Sequence, residues 1–180
     1  VYDNFVRGRM ENLKNAVEDP RFKVYDIGGD ILHTDILESA MNDIDGVFHQ
    51  AALTVVQDSF TNIEEYQQVN VEGTENIFKI AKKNNFKVVY ASSSSVYGHQ
   101  KNVPINENAK RNPINPYGQT KLDDEYLMEK YSKLGVKIIG LRYFNIFGKG
   151  QTLEYAGVIT KFLDRIKQKK APMIYGKGSQ

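Results

Sequence analysis

Phe86-Lys87-Val88-Val89-Tyr90-Ala91, running into Ser92-Ser93-Ser94-Ser95-Val96-Tyr97, is the segment from which the rest of the chain is most readily read. The first six residues are rich in Val, Phe and Tyr and predict a strand. Four hydroxyl residues leave its end. Downstream lies a polar loop over 98–114 with Pro104 and Pro113. Asn115-Pro116 then sets a capping side chain before a proline at the first helical position, which predicts a helix to about Lys133. Gly135 ends it, and Val136 to Leu141 is the next strand.

Upstream the same alternation holds. Val1-Tyr2 reads as a strand end. Met10 to Val17 has helical spacing, with Met10, Leu13 and Val17 on one face. Phe22 to Ile27 is a strand, Asp35 to Met41 a short helix, and Gly46-Val47-Phe48-His49 a short strand ending in Ala51-Ala52. A helical region from Asp58 to Asn84 is interrupted at Gly73, a place for close packing. Past Leu141, Tyr155 to Gln168 reads as a helix and Met173-Ile174-Tyr175 as a last strand. Strands alternating with helices predict an α/β fold, a Rossmann-like and mostly parallel sheet with helices on both faces. In such folds ligands sit beyond the carboxyl ends of the strands. The residues to inspect are therefore Asp3, His49 to Leu53, Ser92 to Tyr97 and Arg142 to Gly148.

Composition narrows the function. The 180 residues carry 24 Lys plus Arg against 22 Asp plus Glu, and this near balance gives no pull toward nucleic acid or acidic membranes. There is no cysteine, which excludes disulfides, thiolate metal sites and a cysteine nucleophile. The three histidines lie far apart and form no metal-binding motif, so no metal is expected. No apolar run reaches membrane-spanning length, and a cytoplasmic protein is expected. Lys161, Arg165, Lys167, Lys169 and Lys170 are better explained as the solvated face of an amphipathic helix than as a nucleic-acid surface. Both ends read as cut, with Val1 at the end of a strand and Gln180 just past one, as in the middle of a longer protein.

Tyr117 and Lys121 are four apart at the start of the capped helix and share a face. A tyrosine is a poor base at neutral pH, but a neighbouring ammonium stabilises its phenolate. The pair could therefore supply a general base. A snorkelling lysine beside a packed aromatic is the commoner explanation of such spacing.

The motifs in their order carry a resemblance. They are Asp3-Asn4-Phe5 with Gly8, Thr34-Asp35-Ile36, Val47-Phe48-His49-Gln50-Ala51-Ala52 and Asn70-Val71-Glu72-Gly73-Thr74. Further along come Ala91 to Gly98, Asn115-Pro116-Tyr117-Gly118-Gln119-Thr120-Lys121, Leu141 to Gly148 and Ile174 to Gln180. In these the chain resembles the extended short-chain dehydrogenase/reductase family, in its NAD-dependent epimerase/dehydratase branch.

The resemblance implies a partial NAD-binding Rossmann domain over 1–150 and the start of a substrate-binding region over 151–180. Asp3, with Asn4, matches the place that holds the adenosine ribose, favouring NAD over its 2′-phosphate. Asp35 and Ile36 match the adenine flank, though Asp35 could equally cap its own helix. Ala51, Ala52 and Leu53 match the segment along the dinucleotide, and Asn70 the asparagine that supports the site. Ser93, Tyr117 and Lys121 match the catalytic set: Tyr117 as base, Lys121 lowering its pKa and binding the nicotinamide ribose, Ser93 holding the sugar hydroxyl. Ser94 and Asn145 match substrate contacts, Asn145 at the phosphates. His49 is expected to be structural.

Dehydratases of the branch place Asp and Glu after the catalytic residue, and decarboxylating members place Glu at the second position. Ser94 and Ser95 stand there instead. The resemblance therefore implies an epimerase acting at C4 of a UDP-hexose, a UDP-N-acetylhexosamine or a UDP-hexuronate. The alternatives are a dehydratase, decarboxylase or reductase of the family, or a non-catalytic binding protein. A homodimer is implied for the full-length protein. The chain by itself is expected to bind NAD weakly and turn nothing over.

Overall fold

Among the described residues three strands form one parallel sheet in the order β1 (Gly46–His49), β2 (Lys87–Ser93), β3 (Ile138–Tyr143). Val47 faces Val88 across the first pair, and Val88 faces Ile138 across the second. This register brings the carboxyl ends of β1, β2 and β3 to one edge. The computed structural model describes every residue except 26, 149, 152, 154, 155, 175 and 178–180. The chain forms two compact units, Val1–Tyr143 and Phe144–Gln180.

In the first unit the helices are α1 (Lys14–Val17), α2 (Thr34–Ala40), α3 (Ile63–Tyr66), α4 (Gly73–Asn84) and α5 (Pro116–Lys133). Parallel strands need crossovers, and helices supply them. The side chains of β2 alternate, so Val88, Tyr90 and Ser92 are buried. They join Leu37 of α2, Ile77, Phe78 and Ala81 of α4, and Tyr131 of α5 in the main buried cluster or beside it. The alternate set is open: Phe48 and Ile139 are exposed. The fold is thus an α/β, Rossmann-like arrangement with a parallel sheet flanked by helices.

The helix start at Asn115 forms as its sequence predicts. The Asn115 side chain accepts from Gly118 N at 2.7 Å, with Pro116 in the first turn. Asn85 ends α4 in the left-handed conformation, which asparagine tolerates better than most residues.

Five expected elements differ. Val1-Tyr2 and Phe22–Ile27 are not strands. Val1 N donates to Lys23 O (2.6 Å) and Tyr25 N to Val1 O (2.8 Å), two backbone bonds that stop short of a ladder. Asp26 lies outside the described residues. Met10 to Val17 forms a 3₁₀ turn and then α1, with no buried residue. Met10 and Val17 are exposed, so the expected inward face is not realised. The region 58–84 is a 3₁₀ turn at 58–60, α3, a π-helical segment at 67–72, and α4. Met173 and Ile174 carry no strand, and Tyr175 is outside the described residues.

Gly73 sits where the π segment becomes α4. A methyl group there would fall 2.4 Å from Ile31 Cδ1 and 2.6 Å from its Cγ1. Ile31 is buried and its carbonyl is held by Asn76 (3.2 Å), so it has little room to retreat. Gly73→Ala gains about 1 kcal/mol of helix propensity but overpacks by about 1–3 kcal/mol. A net loss of about 1 kcal/mol is expected, read as a lower urea midpoint at unchanged slope. A higher midpoint would contradict the packing.

In the second unit α6 (Val158–Lys167) follows an extended Gly157. Thr160 Oγ1 donates to Gln151 Oε1 at 2.8 Å, and Arg165 Nε to Ala171 O at 2.6 Å, tying one of the basic residues to its own turn.

Candidate active site

Ser93 is the last residue of β2. Its hydroxyl accepts from Ser95 N at 3.1 Å, starting the 3₁₀ turn Ser94–Tyr97. The first turn of α5 presses on this turn: a methyl group at Gly118 would lie 2.8 Å from Ser95 O. Tyr117 N donates to the buried Ser59 hydroxyl at 3.2 Å. These contacts set the Tyr117 phenol beside the Ser93 hydroxyl, which acts to lower its pKa. Lys121, one turn further along α5, is 2% exposed. Residues 24 apart in sequence thus meet at the carboxyl edge of the sheet.

The charges around this set are not those the spacing suggests. Burial raises the Tyr117 phenol; the Ser93 hydrogen bond lowers it, the negative charge of Asp124 raises it, and the net position is above the usual value. The Lys121 nitrogen lies 3.7 Å from Asp124 Oδ2 and 4.8 Å from the centre of the Tyr90 ring. Its own pKa is pulled down by burial, against support from Asp124. The expected lowering of Tyr117 by Lys121 is therefore not the balance found here. Burial acts more strongly, and a carboxylate shares the ammonium.

Two buried carboxylates were not anticipated. Asp124 Oδ2 accepts from Tyr90 Oη at 2.5 Å, while its Oδ1 has no partner. Burial first of all raises its pKa, to about 7, although Lys121 and Tyr90 act to lower it. Glu125 accepts from Ser92 (2.7 Å), Arg111 (2.9 Å) and Arg142 (2.8 Å twice). The signal was available: Asp124 and Glu125 stand three and four places after Lys121, where they share its face of the helix.

Asn70 lies in the π segment, a distortion common at functional sites. Its side chain brackets Leu53, accepting from Leu53 N (2.8 Å) and donating to Leu53 O (3.0 Å), and reaches Thr120 Oγ1 at 3.1 Å. One buried amide therefore joins the loop after β1 to α5. Ala51 is exposed, and Ala52 and Leu53 are half-buried. His49 bonds Thr74 Oγ1 at 2.8 Å and is fully buried. Desolvation above all, helped by Lys121, lowers its pKa to about 3, so it is neutral and structural.

A second group forms around Asp3. Asp3 Oδ1 accepts from Phe5 N at 2.7 Å, and Asn4 Oδ1 from Val6 N at 3.3 Å. Gly29, at φ +84°, lets the backbone pass against Asp3, where a methyl group would lie 2.2 Å from Asp3 O. Gly28 lies against Ile36. Asp35 is exposed in the first turn of α2, where its charge suits the helix dipole. It does not cap α2, whose cap position is His33 with no side-chain bond.

Ser94 is half-buried beside Ser93. Asn145 is exposed and belongs to the second unit. Among the described residues no cluster of His, Asp or Glu is placed to hold a metal ion, and no helix is long and apolar enough to cross a membrane.

The class is set by the parallel sheet and its crossover helices: an α/β protein of the Rossmann type. The model of the NAD dependent epimerase/dehydratase family matches residues 7–180, and the chain belongs to that family. It is 38% identical to UDP-N-acetylglucosamine 4-epimerase from Methanobrevibacter ruminantium, solved in complex with UDP-N-acetylmuramic acid. The TM-score is 0.89 over 99% of this chain and 57% of that one. It is 30% identical to UDP-glucuronic acid 4-epimerase from Bacillus cereus, solved with UDP-glucuronic acid and NAD, at a TM-score of 0.83 over 95% and 54%. It is also 39% identical to a UDP-glucose 4-epimerase of Lactobacillus helveticus over 72% of this chain and 40% of that protein. The chain thus spans about half the length of these relatives.

Proposed function

We propose that the full-length protein is an NAD-dependent 4-epimerase of a nucleotide sugar, acting on a UDP-hexose, UDP-N-acetylhexosamine or UDP-hexuronate. The observation that carries this reading is the placing of the Tyr117 phenol beside Ser93 at the carboxyl edge of a parallel strand, with Lys121 buried one turn on.

The residues present fit a dinucleotide. A methyl group at Gly8 would fall 3.0 Å from Asp3 Oδ1, so the glycine leaves the half-buried carboxylate uncovered, free to accept from ribose hydroxyls. Ile36 offers an apolar surface to an adenine ring. Small residues at 51 and 52 allow close approach of the backbone. NAD, when bound, takes up and returns hydride at the sugar carbon and carries a positive charge in its oxidised form.

Tyr117 is assigned to take the proton of the C4 hydroxyl and to give it back after the sugar has turned over. Ser93, beside the phenol, is assigned to orient that hydroxyl. Lys121 supplies positive charge beside the phenolate and a donor for a ribose hydroxyl. Ser94 and Ser95, where an acid–base pair would be needed to eliminate water, are hydroxyls that do not ionise near neutral pH. This favours epimerisation over dehydration. Asn145 is assigned to the sugar-nucleotide phosphates, and a dimer is proposed for the full-length protein.

The test is incubation of the full-length protein with NAD and, separately, UDP-glucose, UDP-N-acetylglucosamine and UDP-glucuronic acid. Interconversion with the C4 epimer of one of them is expected, with no net NADH. A 4-keto-6-deoxy product would overturn the epimerase reading.

A further inference from the structure

Asp124 takes no part in the chemistry just described, yet it is one of the most deeply buried residues of the chain, with no exposed surface. It sits between the two groups that matter. Tyr90 of β2 donates its hydroxyl to Oδ2 at 2.5 Å, and the Lys121 ammonium lies 3.7 Å from the same oxygen. The ammonium also stands over the Tyr90 ring, 4.8 Å from its centre, so carboxylate, phenol and amine close a small ring of contacts inside the core. A lysine buried this deeply would otherwise lack a counter-charge.

We propose that Asp124 is a positioning residue for the candidate site: anchored by the Tyr90 hydroxyl, its carboxylate is the internal counter-ion of Lys121 and sets how much positive charge the Tyr117 phenol feels. This rests on the reading of Tyr117 and Lys121 as base and cation.

The groups facing Asp124 are few. On α5 they are Lys121, Tyr117 and Asp123; from β2 comes Tyr90; from β1, His49 lies against the Tyr90 ring (5.5 Å between centres) and is neutral. Glu125 is committed to Arg111 and Arg142. Lys121 is therefore the cation that Asp124 can pair with here, and the charge that acts on Tyr117 is the carboxylate's, in the direction that opposes ionisation of the phenol. The unpartnered Oδ1 weakens the ionised form of Asp124. Burial, the largest influence, raises its pKa to about 7.

The experiment is a pH titration of the full-length protein labelled with ¹³Cζ-tyrosine and ¹³Cε-lysine, free of substrate. Resonances are assigned by their loss in Tyr117→Phe, Tyr90→Phe and Lys121→Met. In the parent, the Tyr90 and Lys121 signals are expected to step together near neutrality as Asp124 ionises. In Asp124→Asn this step is expected to vanish, and the Tyr117 midpoint to fall by roughly one pH unit, the scale of a single nearby charge. A Tyr117 midpoint that stays or rises overturns the proposal. Should Asp124→Asn not fold, Tyr90→Phe, which removes the anchor of the carboxylate, decides: Lys121 and Tyr117 signals that titrate as in the parent overturn it equally. Because this readout needs no turnover, it is separate from the loss of activity expected of Tyr117→Phe. If that variant stays active, the base reading falls, whatever the titration gives.

Discussion

Tyr117→Phe in the full-length protein is expected to lower kcat by about 10²–10⁴-fold, the usual contribution of a positioned acid–base group, with KM little changed. The substitution removes one oxygen and keeps the ring. The phenol lies beside Ser93, and Ser93 keeps its bond from Ser95 N at 3.1 Å, so the turn after β2 does not lose its anchor. The backbone contact of Tyr117 with Ser59 is untouched. A kcat within about threefold of the parent, in a variant with unchanged thermal midpoint, would remove Tyr117 from the chemistry. The raised pKa of the buried phenol has a further consequence. Activity that depends on the phenolate should increase with pH through the neutral range, until the cation beside it is itself lost.

The second large effect is on stability. Glu125→Ala is expected to destabilise the fold by about 3 kcal/mol, the low end for breaking a buried ion pair. The low end applies because Arg111 and Arg142 are about a quarter exposed and can be partly rehydrated. Glu125 itself is 3% exposed and joins Ser92 of β2, Arg142 of β3 and Arg111 of the loop before α5. Arg142 also holds Tyr97 Oη and Glu107 O, each at 2.8 Å, so the loop over 98–114 loosens with it.

The pH dependence follows from the sign of the shift. Burial alone would raise the Glu125 pKa, but the hydrogen bonds from Arg142, Ser92 and Arg111 outweigh it and the carboxyl lies below its ordinary value. A group depressed in the folded state stabilises above its unfolded pKa of about 4.3, and that contribution is lost as pH falls through the folded value. The parent should therefore lose thermal stability on acidification below about pH 4 more steeply than Glu125→Ala. Parallel acid limbs for the two proteins would show that the carboxylate is not held as described.

Much of the fold is legible along the chain because the signals are local. The strand Gly46–His49 is found where its sequence predicts it, and β2 and β3 are shifted by one or two residues. The Asn115 cap and the close packing at Gly73 are local as well, one a side chain reaching its own helix start and the other a missing side chain in an otherwise good helix. Val1-Tyr2 and Phe22–Ile27 have strand-like composition but, among the described residues, make two backbone bonds to each other and no ladder, since a strand exists only by virtue of its neighbour. The π segment around Asn70 is equally invisible to a 3.6-residue period. Its distortion serves the bracket on Leu53 and the reach to Thr120, fifty residues away.

Local spacing and composition specify an alternating α/β chain with a tyrosine and a lysine on one helix face and serines after a strand, because both act within a few residues. Only the tertiary structure decided what those residues feel. Burial, a property of the whole packed core, raises the Tyr117 phenol and brings Asp124 to about 7. Contacts between residues more than thirty positions apart turn Lys121 toward a carboxylate anchored on Tyr90. Charges in a low-dielectric interior answer to their three-dimensional neighbours and to lost water, and neither is written in the order of the residues.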